Sequence, residues 1–151
     1  MKETIQQLEA IIYKYYPLLT ALKEDQLDYR YAPGKWSKKE EIGHLIDSAQ
    51  NNIRRFIEAQ YQTEPPTIVY NQDEWVKLGD YAGYQPGDIL KLWLLLNRHI
   101  IVILKQMPEE KYGNTCFRRE AHTIEWLASD YNKHLLYHLH RILDLESLQY
   151  P

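Results

Sequence analysis

Six histidines occur in the 151 residues, His44, His99, His122, His134, His138 and His140, and two of them are spaced for chemistry. His134 and His138 lie four apart in a segment of strong helical periodicity. Both imidazoles therefore share one helix face, one turn apart, where they can reach a common ion. Imidazole nitrogen suits borderline divalent metals such as zinc and nickel. Both residues border the apolar stripe of their segment, which aims them toward a bundle interior, whereas His140 lies on the opposite face and reads as solvated. A catalytic site of this type needs a third protein ligand and leaves positions open for water or substrate. His44 and His99 are the candidates, and periodicity alone does not choose between them. His44 shares a polar face with Asp47 and Asn51, almost opposite Ile42, Ile46 and Ile53. That face is either solvated or the wall of a wet cleft. In the second case Asp47, one turn beyond His44, is a candidate to orient an imidazole, to ligate directly, or to act as a base.

The other reactive side chains are less informative. A single cysteine, Cys116, excludes an internal disulfide framework and a multi-cysteine zinc site. It precedes Phe117, Arg118 and Arg119, and nearby cations are expected to lower its thiol pKa. No histidine partner is placed beside it by sequence. Arg54 and Arg55 read as surface residues, although an arginine beside a cleft would suit an anionic substrate. The chain has no Gly-rich phosphate loop, no Gly-x-Ser-x-Gly elbow and no His-Glu-x-x-His.

Four helical segments must position these residues. The first runs from about Lys2 to Leu22, with Ile5, Leu8, Ile12, Tyr15 or Tyr16 and Leu19 at spacings of three or four, and Pro17 predicts a kink or early break. A Pro33-Gly34 turn precedes Ser37-Lys38-Lys39-Glu40, a capping box that opens a helix to about Gln60. Pro65, Pro66, Gly79 and Gly83 then punctuate a stretch of over twenty residues, Thr63 to Tyr84, longer than an ordinary helix connection and read as a packed loop or lid. Pro86 opens the third helix and Pro108 stops it. Thr123 caps the fourth, which runs to about Leu145. No convincing strand pattern is present, although Thr67–Tyr70 reads as a short extended piece. The expectation is an all-α four-helix bundle, one domain over residues 1–151, whose long second connection lets it depart from simple up-down order.

Composition narrows the class. Hydrophobic residues make up 44% and charged residues 26%, which is globular composition. A net charge of −3 and a pI near 6.1 argue against a nucleic-acid partner. No apolar run approaches a membrane span, no signal peptide or lipidation motif is read, and the expected location is the cytoplasm. Tyr13, Trp126 and Tyr137 lie off the inward faces, which suggests a homodimer built on aromatic side chains.

Two segments carry a resemblance. Ala32-Pro33-Gly34-Lys35-Trp36-Ser37, followed by Gly43-His44-Leu45-Ile46-Asp47-Ser48, resembles the signature of the DinB/YfiT-like superfamily. Asp130 to Ile142, with His134-Leu135-Leu136-Tyr137-His138, resembles the closing His-x-x-x-His helix of that family. The order of the motifs and the four-helix layout extend the likeness over nearly the whole chain. The resemblance implies that His44, His134 and His138 bind one divalent metal, nickel or zinc, and that Trp36 walls a substrate pocket. It implies a metal-dependent hydrolase or a thiol-dependent transferase acting on a small molecule, with a low-molecular-weight thiol as a further cofactor in the second case. The competing expectation is a non-enzymatic metal-binding or dimeric interaction module. Nothing transfers to the 63–86 connection, where the family varies.

Overall fold

A computed structural model describes residues 1–150. Its helices are α1 (Lys2–Thr20), α2 (Glu24–Leu27), α3 (Lys38–Tyr61), α4 (Gln72–Gly79), α5 (Pro86–Gln106) and α6 (Ile124–Ile142). The start signals act as their chemistry requires. Ser37 Oγ accepts from the Glu40 amide at 3.2 Å, and Glu40 Oε2 accepts from the Ser37 amide at 2.6 Å, which closes the box at the head of α3. Pro86 occupies the first turn of α5, and Thr123 Oγ1 accepts from the Trp126 amide at 3.2 Å to open α6.

Pro17 does not end α1, which continues to Thr20. The carbonyl deprived of its donor belongs to Tyr13, a residue 87% exposed, where solvent can supply the missing hydrogen bond.

α1, α3, α5 and α6 form the bundle. α3 packs on α5 and α6, and α1 packs on the same two helices, so α1 faces α3 across one diagonal and α5 faces α6 across the other. Consecutive bundle helices are thus diagonal partners at the first and third connections. The departure from up-down order arises there, not at the long second connection, which joins neighbours. Leu8 and Leu19 of α1, Ile42, Leu45 and Ile46 of α3, Ile89, Trp93 and Ile100 of α5, and Leu135, Leu139 and Ile142 of α6 fill the centre with almost no exposure. Spacings such as those of Ile42, Leu45 and Ile46 or of Leu135, Leu139 and Ile142 return to one side of the helix every three or four residues, which keeps one face inward.

The second connection is structured, where the sequence reads as a loop. It carries α4, capped by Asn71 Oδ1 accepting from the Asp73 and Glu74 amides, and a 3₁₀ turn at Tyr81–Gly83. Tyr81 lies against Gly43 of α3 so closely that an added Cβ there would stand 2.1 Å from the ring. The third connection holds a hairpin that the sequence does not announce, β1 (Thr115–Phe117) antiparallel to β2 (Ala121–Thr123). Three-residue strands are too short for an alternation signal. Thr67 bridges to Phe117, so the extended piece expected at 67–70 is anchored on this hairpin. The tail after α6 turns back through Asp144 (φ 53°), whose carboxylate accepts from Lys38 Nζ at 2.5 Å and the Tyr31 hydroxyl at 2.9 Å. No helix of the described residues is long and apolar enough to cross a membrane.

Candidate metal centre

α3 and α6 bring His44, His134 and His138 together. One ring nitrogen of each lies within 4.8 Å of those of the other two, and the ring centroids are 4.5–5.0 Å apart. His44 Nε2 and His134 Nε2 are separated by 3.0 Å. Two imidazoles on a tetrahedral zinc at 2.0–2.1 Å have nitrogens about 3.3 Å apart, so this spacing is within a few tenths of an ångström of a shared-ion geometry. His99 is exposed on α5, outside the cluster.

The remaining ring nitrogens are handled differently. His138 Nδ1 donates to Glu41 Oε1 at 2.7 Å, which leaves Nε2 free, and the same carboxylate oxygen accepts from Arg141 Nε at 3.2 Å. Glu41 is 2% exposed. A carboxylate behind an imidazole fixes the tautomer and raises the basicity of the ligating nitrogen. His134 Nδ1 lies 3.5 Å from Ser48 Oγ, and His44 Nδ1 is buried without a protein partner. Burial, then the charges of His138 and Arg141, lower the His44 pKa from 6.5 to about 3. Burial, with His138 next, holds His134 well below its usual value. At neutral pH both are therefore uncharged, the state in which imidazole ligates a cation. The donor set thus fits a divalent metal in number and spacing, with His44 and His134 already uncharged.

The two further candidates are placed differently. Trp36 is half-buried, with its ring centroid 5.0 Å from that of His44, and it lines a recess of about 290 Å³ with Tyr81 and Ala82. Asp47 is buried on α3, but its Oδ1 accepts from the Tyr81 hydroxyl, not from an imidazole, and its Oδ2 has no protein partner. Burial raises its pKa to about 6 against the opposing Tyr81 bond. The group that orients an imidazole is Glu41. Its signal in the sequence is i−3 to His44 on the same polar face, but the first turn of a helix is an ordinary place for a glutamate, and that explanation conceals the role.

A larger cavity of about 720 Å³ opens from His44 and His134 along α3. Ser48, Asn52 and Arg55 continue its floor, and Tyr70, Trp126 and Tyr150 stand in its walls. Arg55 is 4% exposed, not a surface residue, because its guanidinium is drawn inward by the Ile68 carbonyl. Trp126, one of the aromatic residues read as off the inward faces, is 45% exposed, stacks on His122 with centroids 3.7 Å apart and lines this cavity. Tyr137 lies edge-on to His138, while Tyr13 is exposed. His140 is half-buried, not solvated: Nε2 meets the Tyr15 hydroxyl and Nδ1 the Glu146 carbonyl, each at 2.7 Å. Cys116 is fully buried, and burial outweighs the neighbouring arginines, so its thiol pKa is raised where the sequence predicts lowering.

A four-helix bundle in which three imidazoles converge beside a cavity of ligand size is an arrangement that could hold one metal ion. This chain belongs to the DinB superfamily, whose family model matches residues 7–142. It is 25% identical over 144 residues to YfiT of Bacillus subtilis, covering 93% of this chain and 81% of that protein, which is provisionally named a metal-dependent hydrolase. The solved YfiT structure, described as a probable metal-dependent hydrolase with an unusual four-helix bundle topology, matches with a TM-score of 0.84 over 95% of this chain and 83% of its own. A relative of the same provisional name in Bacillus cereus strain G9842 is 29% identical over 76 residues, 50% of this chain and 44% of that protein. The mycothiol-dependent maleylpyruvate isomerase shares the fold at a TM-score of 0.73 and 14% identity, covering 97% of this chain and 61% of that one.

Proposed function

We propose that this protein is a divalent-metal enzyme in which His44, His134 and His138 hold one ion, zinc or nickel, and that it activates a nucleophile against a small molecule bound in the adjacent cavity. The observation that carries this reading is the set of imidazoles itself: buried or half-buried, with His44 and His134 held neutral by burial and His138 backed by Glu41. A divalent ion there supplies Lewis acidity and lowers the pKa of water or of a thiol. The protein's part is to keep His44 and His134 unprotonated by burial, to fix the His138 tautomer through Glu41, and to leave the His44 and His134 side open to the cavity.

Water as nucleophile makes the enzyme a hydrolase, the reading supported by the provisional names of its relatives. A low-molecular-weight thiol makes it a transferase. That second reading is supported by the absence, among the described residues, of a carboxylate bonded to the imidazole cluster other than Glu41, which Arg141 and His138 already occupy, since a thiolate attacks without a separate base. The mycothiol-dependent structural neighbour points the same way.

Metal analysis of the untagged protein, followed by rate measurements with ester, amide and thiol-acceptor substrates, tests both readings. One equivalent of metal, abolished in a His134→Ala/His138→Ala variant and weakened in His44→Ala, is expected. Unchanged stoichiometry in these variants would overturn the ligand set. Full metal occupancy with no turnover on any substrate class would favour the non-enzymatic binding module.

A further inference from the structure

Arg55 presents an unusual electrostatic situation. Its guanidinium is buried, and no carboxylate lies within salt-bridge distance of it among the described residues. Nε and one terminal nitrogen donate to the Ile68 carbonyl at 3.2 and 2.9 Å, and the other terminal nitrogen donates to Asn52 Oδ1 at 3.3 Å. A guanidinium carries five N–H donors, so two remain without a protein acceptor among the described residues. The nearby acid, Asp130, is already engaged: it accepts from Arg118 at 2.7 Å and from the Tyr150 hydroxyl at 3.1 Å. A buried cation without a counter-ion is costly, and such a group lining a cleft marks a candidate ligand site.

The cavity around it is built to the same sign. Arg55, Arg118 and Arg119 line it against Glu120 and Asp130, a formal balance of +1 over these five side chains, inside a chain whose formal net charge is −3. Arg119 is exposed at the cavity wall. Burial, with the Arg118 charge next, lowers the Arg55 pKa, as expected of a desolvated cation beside a like charge.

Position supplies the rest. His44, Ser48, Asn52 and Arg55 follow one another at i, i+4, i+8 and i+11 along a single stripe of α3. Their backbones span about 16 Å at 1.5 Å per residue. The histidine cluster lies at one end of this floor and the guanidinium at the other.

We infer that the cavity selects an elongated small molecule with a carboxylate at one end, which Arg55 binds with help from Arg119, so that its reactive end lies at the histidine cluster. This substrate class rests on the metal-enzyme reading above. Guanidinium recognises carboxylate as a planar fork, which a neutral alcohol or amide cannot match. The aromatic side chains of Tyr70, Trp126 and Tyr150 line the length between the ends.

A two-ended probe tests it. The cobalt(II)-loaded protein is titrated with 6-mercaptohexanoate, 8-mercaptooctanoate and 11-mercaptoundecanoate, and with the mercaptoalcohols of equal length. The thiolate-to-cobalt absorption band reports engagement of the metal end. The carboxylate is expected to bind about tenfold or more tightly than its alcohol at one chain length at least, the size of a charged hydrogen-bonded contact. Arg55→Gln and Arg119→Gln should each reduce that preference and leave the alcohols unchanged. Because Arg55 also holds the Ile68 carbonyl, Arg55→Gln can unfold; the wild-type series and Arg119→Gln then decide. Equal affinities for acid and alcohol at every length, with the band present, overturn the carboxylate inference and leave the metal reading standing. If cobalt does not bind, the metal reading fails, and Trp126-dependent fluorescence of the metal-free protein with octanoate against octanol decides the anion end. A preference for octanoate there supports the inference, and no preference overturns it.

Discussion

Replacing Glu41 separates a residue that tunes the metal centre from one that merely pairs with Arg141. Its Oε1 accepts from His138 Nδ1 at 2.7 Å and from Arg141 Nε at 3.2 Å, in a site where Glu41 is 2% exposed. Glu41→Gln keeps the size and an acceptor oxygen but removes the charge that makes His138 a stronger donor. Glu41→Ala removes the orienting bond as well. Loss of such a partner costs about 10–100-fold in metal affinity, so glutamine is assigned the lower end and alanine the upper. These correspond to about 1.4 and 2.7 kcal/mol. The fold should survive both changes. The Arg141 side chain is 44% exposed and can turn to solvent, so no buried charge is stranded. Zinc affinity is read by competition against a chromophoric chelator, with circular dichroism as the folding control. Arg141→Gln, which spares the Glu41–His138 bond, should change affinity by less than about fivefold, as expected of a half-exposed ion pair. A folded Glu41→Ala protein with wild-type zinc affinity, or an Arg141→Gln variant that loses as much, would refute the reasoning.

Metal-free stability should fall as pH drops from about 6.5 toward about 3, because the unfolded chain protonates His44 in that interval and the native chain does not. Asp47, raised to about 6, acts in the opposite direction between about 4 and 6, so the diagnostic quantity is the difference in urea midpoint between wild type and His44→Gln across pH; a constant difference would refute the assignment. Gly43→Ala forces a methyl carbon to 2.1 Å from the Tyr81 ring and should destabilise by about 1–3 kcal/mol while weakening metal binding through the adjacent His44, measured by urea unfolding and zinc titration; wild-type values for both would show that Tyr81 moves freely. Chelation should leave the helical circular dichroism intact, since the core between the helices forms without the ion, whereas added zinc at 100 times its Kd should stabilise by about 2.7 kcal/mol. Collapse of helicity on chelation would contradict this.

The helices and the histidine pair were legible because both depend on local spacing. The capping box at Ser37, the proline at the head of α5 and the cap at Thr123 act within one helical turn, so sequence alone placed these starts. His134 and His138 share a face by the 3.6-residue period, whatever surrounds them. The family motif singled out His44 over His99, a choice that periodicity left open. What the sequence could not supply is which polar face of α3 meets which neighbour. Glu41, His44, Asp47, Ser48, Asn52 and Arg55 are all buried, although their residue types predict solvent, because α6, the second connection and the hairpin close over them. The same enclosure reverses the expectation for Cys116, where desolvation outweighs the nearby arginines, and turns Arg55 from a surface residue into a buried cation. It also assigns the two carboxylates of that face. Glu41 reaches His138 from 97 residues away in the chain, whereas Asp47 is taken by Tyr81 of the second connection. Such long-range pairings depend on how elements distant in sequence dock, and the diagonal order of α1, α3, α5 and α6 exists only in the assembled bundle. Sequence set the helices and the ligands' spacing; tertiary packing set their partners, because burial and charge at each atom are properties of everything packed around it.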